Sequence, residues 1–431
     1  MITEDLKNKF EEFARETLAK HGVVLQLAEI RGERWAYALG ERPLEIPAME
    51  PLKVRLGDHA GVIVYEMHGH DAMVLDHVRG QVKLLWQAQG SEDPGRMKEL
   101  SRDEMVEYLN TTDPAKIEEL FSIADSVRKR YVGDEVHLRG IIEFSNYCSK
   151  DCLYCGLRCS NPMRPRYRMS CEEIFNAARN AHDLGYGTVV LQSGEDAGVS
   201  VREMYAVVGR IKKELDLAVT LSMGELSYDD LKRLRSAGAD RYLMRFETSD
   251  RRIFRELKPD SDHDRRLGAI YNMKELGYEV GSGIMIGLPG QTVESIADDI
   301  MLFRSLDLDM IGCGPFIPNP ETPLAGNKGG DITLALKVIA LARILTRDTN
   351  IPATTAIGTI DPEGRQKGLK CGANVIMPNV TPREYRASYL LYPDKICIDE
   401  DPGDCAGCVA AMIASVGRIV GRGKGFRSRR A

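Results

Sequence analysis

Three cysteines in the run Asn146-Tyr-Cys148-Ser-Lys-Asp-Cys152-Leu-Tyr-Cys155-Gly156 place three thiols on one short segment with the spacing C-x3-C-x2-C. Iron–sulfur clusters are usually held by four cysteine thiolates. A compact triplet with no obvious fourth member therefore leaves one iron with an open position. A metal with an open position binds a reactant, whereas a saturated one is structural or carries electrons. The rival is zinc, which takes four ligands, typically from paired C-x2-C knuckles. No second knuckle or histidine pair lies near the triplet in sequence. A second group, Cys397, Cys405 and Cys408, lies far downstream, and Cys159, Cys171, Cys313 and Cys371 read as packing residues.

The surrounding composition is that of an ordinary globular protein: 431 residues, 43% hydrophobic, 28% charged, net charge −6 and a sequence pI near 5.9. Mild acidity argues against nucleic acid as a partner. No early apolar stretch resembles a signal peptide, and no run approaches the ~20 apolar residues of a membrane span. The expectation is a cytoplasmic protein without a membrane partner. Ten cysteines in such a chain fit a reducing compartment with thiols as ligands. The glycine-rich basic segment 418–430 reads as a disordered end.

The elements that position the triplet follow from periodicity. Residues 1–95 read as a small α+β extension with a helix at 4–20 and strands at 23–30, 54–56, 61–66 and 82–87. Its histidines (His59, His68, His70, His77) read as surface residues rather than a metal site, since neither a cysteine nor a HExxH helix accompanies them. A polar Pro-Gly segment at 90–95 is the linker. From 96 to 390 two leading helices precede strands at 138–144, 188–192, 218–221, 241–245, 279–286, 310–314, 352–356 and 373–377, with helical stretches between them. Gly185, Gly238 and Gly277 end helices ahead of the next strand. Eight alternating strands and helices predict an α/β fold, a closed (β/α)8 TIM barrel. Residues 391–431 form a C-terminal segment carrying the second cysteine group and the basic tail. Reactive groups of such a barrel sit at the C-terminal ends of its strands. There lie the triplet, Gln192-Ser193-Gly194-Glu195-Asp196, Thr220 to Glu225, Arg245-Phe-Glu247-Thr248, Gly287-Leu-Pro-Gly290, Thr354-Thr355 and Met377-Pro-Asn379.

With Tyr154 before the third cysteine and the triplet after the first barrel strand, the chain resembles the radical S-adenosylmethionine (SAM) superfamily. From roughly 100 to 421 it is similar to the HydE family of [FeFe]-hydrogenase maturation. The stretches that carry this are 131–137, 143–146, 190–196, 237–243, 287–292, 314–318, 351–355 and 371–379. Residues 1–95 have no counterpart in that family, and Phe246 stands where its motif has histidine. Biotin synthase and methylornithine synthase are more distant likenesses.

The resemblance implies a [4Fe–4S] cluster on Cys148, Cys152 and Cys155, with SAM chelated at the open iron. It implies SAM contacts from Tyr154, Ser193, Gly194, Glu195, Glu247 and Arg266. Thr220, Arg245, Thr354 and Thr355 would line a substrate cavity, with Met310 and Tyr389 closing its wall. Cys397, Cys405 and Cys408 resemble an auxiliary iron–sulfur site; the other reading is three free cysteines. The implied activity is reductive cleavage of SAM to a 5′-deoxyadenosyl radical during assembly of the hydrogenase diiron subcluster. HydG, HydF and an electron donor such as ferredoxin or flavodoxin would be partners. Two further readings stay open. One is a radical mutase or sulfur-inserting enzyme acting on an amino acid or thioether; the other is a non-catalytic electron-transfer or metal-binding protein.

Overall fold

The computed structural model describes residues 100–428 and five strands of the N-terminal region. The chain divides into two compact units, Met1–Lys98 and Glu99–Ala431. In the first, β1 (Val24–Ile30) pairs antiparallel with β2 (Glu33–Leu39). A separate antiparallel sheet runs in the order β3 (Val62–Met67), β4 (Asp71–Asp76), β5 (Gln81–Gln87). The expected strands near 23–30, 61–66 and 82–87 are present, and β2 and β4 are additional. The expected helix at 4–20, the strand at 54–56, the four histidines and the linker at 90–95 lie outside the described residues.

The second unit is built on parallel strands in the order β11 (Met310–Pro315), β10 (Glu279–Ile286), β9 (Arg241–Leu243), β8 (Ala218–Ser222), β7 (Thr188–Ser193), β6 (Glu135–Ser145), β12 (Val375–Ile376). The expected seventh strand at 352–356 does not form. Segment 350–353 closes the ring instead through two parallel bridges, Met310 with Asn350 and Pro352 with Val375. Pro352 has no N–H for the ladder, and Thr354 already starts the helix Thr355–Ile360. Asn374 substitutes for the lost pairing: its Oδ1 accepts from Ile351 N at 2.8 Å and its Nδ2 donates to Asn350 Oδ1 at 2.9 Å.

The helices between strands bury one stripe each, as in Val201–Leu215, where Met204, Val207, Val208, Ile211 and Leu215 face inward. Ser170–Glu173 and Thr292–Ser295 capping boxes fix two helix starts. Gly185, Gly238 and Gly277 all have φ between 77° and 103°, which is why glycine ends those helices. The helix Ile332–Thr346 is buried on nearly all sides because the leading helices Arg102–Asn110 and Pro114–Val132 pack over it. Among the described residues no helix is long and apolar enough to cross a membrane.

The tail departs from expectation. Residues 419–421 form β13, which pairs with the start of β6, and the chain then runs beneath the barrel floor. Lys424 O accepts from Thr188 Oγ1 and Arg241 Nη2, both at 2.8 Å. Gly425 O accepts from Arg139 Nη2 at 3.1 Å and Asn350 Nδ2 at 3.2 Å. Phe426 lies 4.4 Å from the Arg241 guanidinium, and Arg427 pairs with Asp307, Asp309 and Asp348 at 2.7, 3.2 and 2.7 Å. The glycines that suggested disorder allow this close approach: a Cβ on Gly425 would sit 2.7 Å from the His137 ring, at a φ of +58°.

Candidate active site at the mouth of the barrel

The loop after β6 is held from several sides. Arg166 donates to four carbonyls, those of Asn146, Leu157, Arg158 and Asn161, at 2.6 to 3.2 Å. Asn146 Nδ2 bonds Pro165 O and Ser388 O, both at 2.7 Å. Ser149 N and Oγ both donate to Glu195 O, at 2.8 and 2.9 Å, which ties the cysteine loop to the end of β7. Gly194 is required at that junction. A Cβ there would meet Tyr147 O at 2.2 Å and Cys148 Cβ at 2.8 Å.

Burial pushes the thiol of Cys155 up to about 12, with Cys152 adding to the effect, and raises that of Cys148 in the same way. Desolvated thiols with raised pKa values become thiolates on binding metal. Backbone donors already point at the sulfurs: Lys150 N at Cys148 Sγ and Leu157 N at Cys155 Sγ, each 3.4 Å. Among the described residues no three His, Cys, Asp or Glu side chains converge on one ion position. The three thiols lie near enough to one another to interact electrostatically, and a cubane takes one thiolate per iron. The donor set therefore fits a [4Fe–4S] cluster.

Beside the loop stands a charged relay. Arg266 is 5% exposed; its Nη1 lies 3.1 Å from Glu195 and 2.9 Å from Glu225, and its Nε donates to Arg245 O at 2.7 Å. Burial opposes its charge, but Glu195 and Glu247 more than offset this and raise its pKa. Glu225, half-buried by the same packing, is held below the usual carboxylate range mainly by Arg266. Glu247 adopts φ +69°, imposed by backbone bonds on both sides: its N donates to Gly283 O, and its O accepts from Met285 N. Its Oε2 lies 3.2 Å from Arg245 Nη2 yet makes no hydrogen bond. Arg245 is half-buried, with 34% of its side-chain surface accessible. Two buried hydroxyls also lack partners, Thr220 Oγ1 and Thr354 Oγ1. Unpaired buried polar atoms at a site mark where a polar ligand would bind.

The structure thus places Thr220 midway along β8 and Arg266 on the helix His263–Glu275, and it brings Cys148, Cys152, Cys155, Tyr154, Ser193, Gly194, Glu195, Arg245, Glu247 and Thr354 to the strand C-termini and the loops that follow them. Thr355 opens the adjacent helix, and Tyr389 is buried with its hydroxyl accepting from Gln192 Nε2 at 3.2 Å. Met310 is the first residue of β11, level through Gly281 with Leu243 at the end of β9, and its sulfur lies 2.6 Å from Arg139 Nη1. Sequence reasoning placed Glu225 at a strand end but gave it no role, and passed over its link to Arg266 and the buried pair of Lys395 with Glu143 beneath Tyr389. The second cysteine group lies after the last barrel strand. Cys397 (φ +63°) and Cys405 are in side-chain contact, which lowers Cys397 to about 6, while Cys408 is exposed one turn further along the helix Pro402–Ser415.

A family model described as Radical SAM superfamily matches residues 142–303. The [FeFe] hydrogenase maturase subunit HydE of Thermotoga maritima is 52% identical over 332 residues, covering 77% of this chain and 95% of its own. The chain belongs to the HydE family of radical SAM enzymes. More distant relatives of this HydE family member include a 3-methylornithine synthase of Methanosarcina acetivorans, 30% identical over 68% of this chain and 83% of that protein. The crystal structure of methylornithine synthase (PylB) superposes with a TM-score of 0.69 at 27% identity, covering 75% of this chain and 95% of that one.

Proposed function

We propose that this protein cleaves SAM reductively in the assembly of the [FeFe]-hydrogenase diiron subcluster, with HydG and HydF as partner maturases. The supporting observation is the 52% identity running through 95% of a HydE maturase. A [4Fe–4S] cluster and SAM, when bound, supply one-electron cleavage of the sulfonium and hence a 5′-deoxyadenosyl radical. Cys148, Cys152 and Cys155 hold the cluster. Ser193, Gly194 and Glu195, tied to the cysteine loop, orient the amino-acid end of SAM. Arg266 and Glu247 fix the nucleoside or carboxylate, and Tyr154 packs beside them. Arg245, Thr220, Thr354 and Thr355 bind the substrate's polar groups. The sealed floor keeps water and hydrogen donors from the reacting atoms.

A ferredoxin- or flavodoxin-type donor supplies the electron, in a reducing cytoplasm. Cys397, Cys405 and Cys408 hold a second iron–sulfur cluster outside the barrel, a reading supported by the contact of the first two and the nearness of the third. An amino-acid substrate is the second reading, supported by the likeness to 3-methylornithine synthase. Anaerobic reconstitution followed by dithionite, SAM and 5′-deoxyadenosine assay tests the enzyme. Cys152→Ala abolishes product, whereas Cys405→Ala retains most of it. Activation of apo-hydrogenase with HydG and HydF tests the role, and failure there with intact SAM cleavage favours the amino-acid reading.

A further inference from the structure

Lys258 follows the helix Arg251–Leu257 and turns its side chain inward beneath the cysteine loop. It is 4% exposed, with Nζ 3.3 Å from Cys152 Sγ and 3.4 Å from Tyr154 Oη. The rings of Tyr154 and Phe254 flank the ammonium, each centroid 5.9 Å away. Among the described residues no carboxylate pairs with it. A desolvated ammonium without a counter-ion is costly. The group that can supply the missing negative charge is the sulfur of Cys152 as a metal-bound thiolate. Lys150 on the loop contrasts with it, reaching Asp260 O at 2.8 Å in an exposed position.

We propose that Lys258 is an electrostatic tuning residue that raises the reduction potential of the cluster held by Cys148, Cys152 and Cys155. The inference rests on the cluster reading above. Reduction adds one electron from an external low-potential donor, of the flavodoxin class or dithionite, and makes the cluster one charge more negative. No bond breaks and no proton moves. A fixed ammonium against a cluster sulfur, in a dry site of low effective dielectric, stabilises the reduced form more than the oxidised one. It acts through Cys152 and does not touch substrate.

The test is an EPR-monitored redox titration of anaerobically reconstituted wild type, Lys258→Met, Lys258→Gln and Lys258→Arg, without SAM or substrate. Both neutral variants are expected to shift the reduced-to-oxidised ratio at fixed potential by about tenfold or more toward oxidised, which is ~59 mV per decade for one electron. Lys258→Arg stays within roughly twofold. Changes under about twofold in both neutral variants with full iron content overturn the proposal. If the neutral variants hold no cluster, ε-15N-lysine wild type decides. Pulsed EPR of its reduced form must show a nitrogen coupling that vanishes in Lys258→Arg, and its absence overturns the proposal. A wild type that assembles no cluster overturns the family reading too. Unshifted potentials with normal SAM cleavage defeat only the role of Lys258.

Discussion

Gly194 shows how little freedom the site leaves at a single residue. The backbone of Tyr147 and the Cβ of Cys148 occupy the space a side chain would need. Gly194→Ala is expected to destabilise the fold by about 2 kcal/mol, in the range of core overpacking, and to lower iron content after reconstitution. Gly209 is the control. It lies in the helix Val201–Leu215 with its nearest neighbour 4.0 Å from an added Cβ, so Gly209→Ala gains up to about 1 kcal/mol of helix propensity. Paired thermal melts and iron assays distinguish the two; equal effects would remove the argument from space. Residues with local chemistry were legible in the sequence. Cys148, Cys152 and Cys155 are defined by their own spacing, and Ser193 to Glu195 by their place after a strand. Glu225 was not, because its meaning lies in Arg266, a partner 41 positions away. Lys258 was missed for the same reason: its contact with Cys152 spans 106 positions.

Among the elements, those with a full period were read correctly and those held by side chains were not. Strands β6, β7, β8, β10 and β11 fall where hydrophobic runs predicted them. The strand expected at 352–356 is reduced to bridges, because Asn374 and Asn350 replace a ladder that Pro352 cannot complete. No periodicity announces a strand made of two asparagines. Below the loops after β9 and β10, the buried Asp299 in the helix Val293–Ser305 accepts from Ser249 N at 2.5 Å, Ser249 Oγ at 2.6 Å and Gln291 Nε2 at 3.5 Å. Gln291 in turn accepts from Gly287 N at 2.7 Å and Leu288 N at 3.2 Å. Burial outweighs the three donors and raises Asp299 to about 7. The unfolded chain ionises this group near pH 4 and the folded chain near 7, so the folded state binds the extra proton between them. Stability conferred by protonated Asp299 is complete at pH values below the unfolded pKa, falls as pH rises toward 7, and is lost above it. The full change is on the order of 4 kcal/mol. Asp299→Asn keeps the Ser249 bonds and is expected to flatten the unfolding free energy between pH 4 and 7. An unchanged slope in denaturant melts would show that other groups carry it.

For the whole catalytic unit, the tail is the least expected feature, because composition describes residues and not what they lie against. Its glycines and arginines resemble those of a solvated end, but the charges meet carboxylates and buried carbonyls under the floor. Arg427 joins Asp307, Asp309 and Asp348, which sit on the loops around β11. Arg427→Ala removes a cation shared by three acids, of which Asp307 keeps Lys274 and Asp309 keeps Val280 N, and the expected loss is about 2 kcal/mol, or a fall in Tm of roughly 3 °C. Arg427→Lys restores part of it. An unchanged Tm in scanning calorimetry would mean that the segment merely rests on the barrel.

With that underside stoppered by its own backbone, the described residues leave the strand C-termini as the side from which a reactant would enter. If SAM binds at the cysteine loop as proposed, a bulky reactant would have to pass before it and would leave only after its fragments had gone. Turnover is then a queue in which the first to enter is the last to leave.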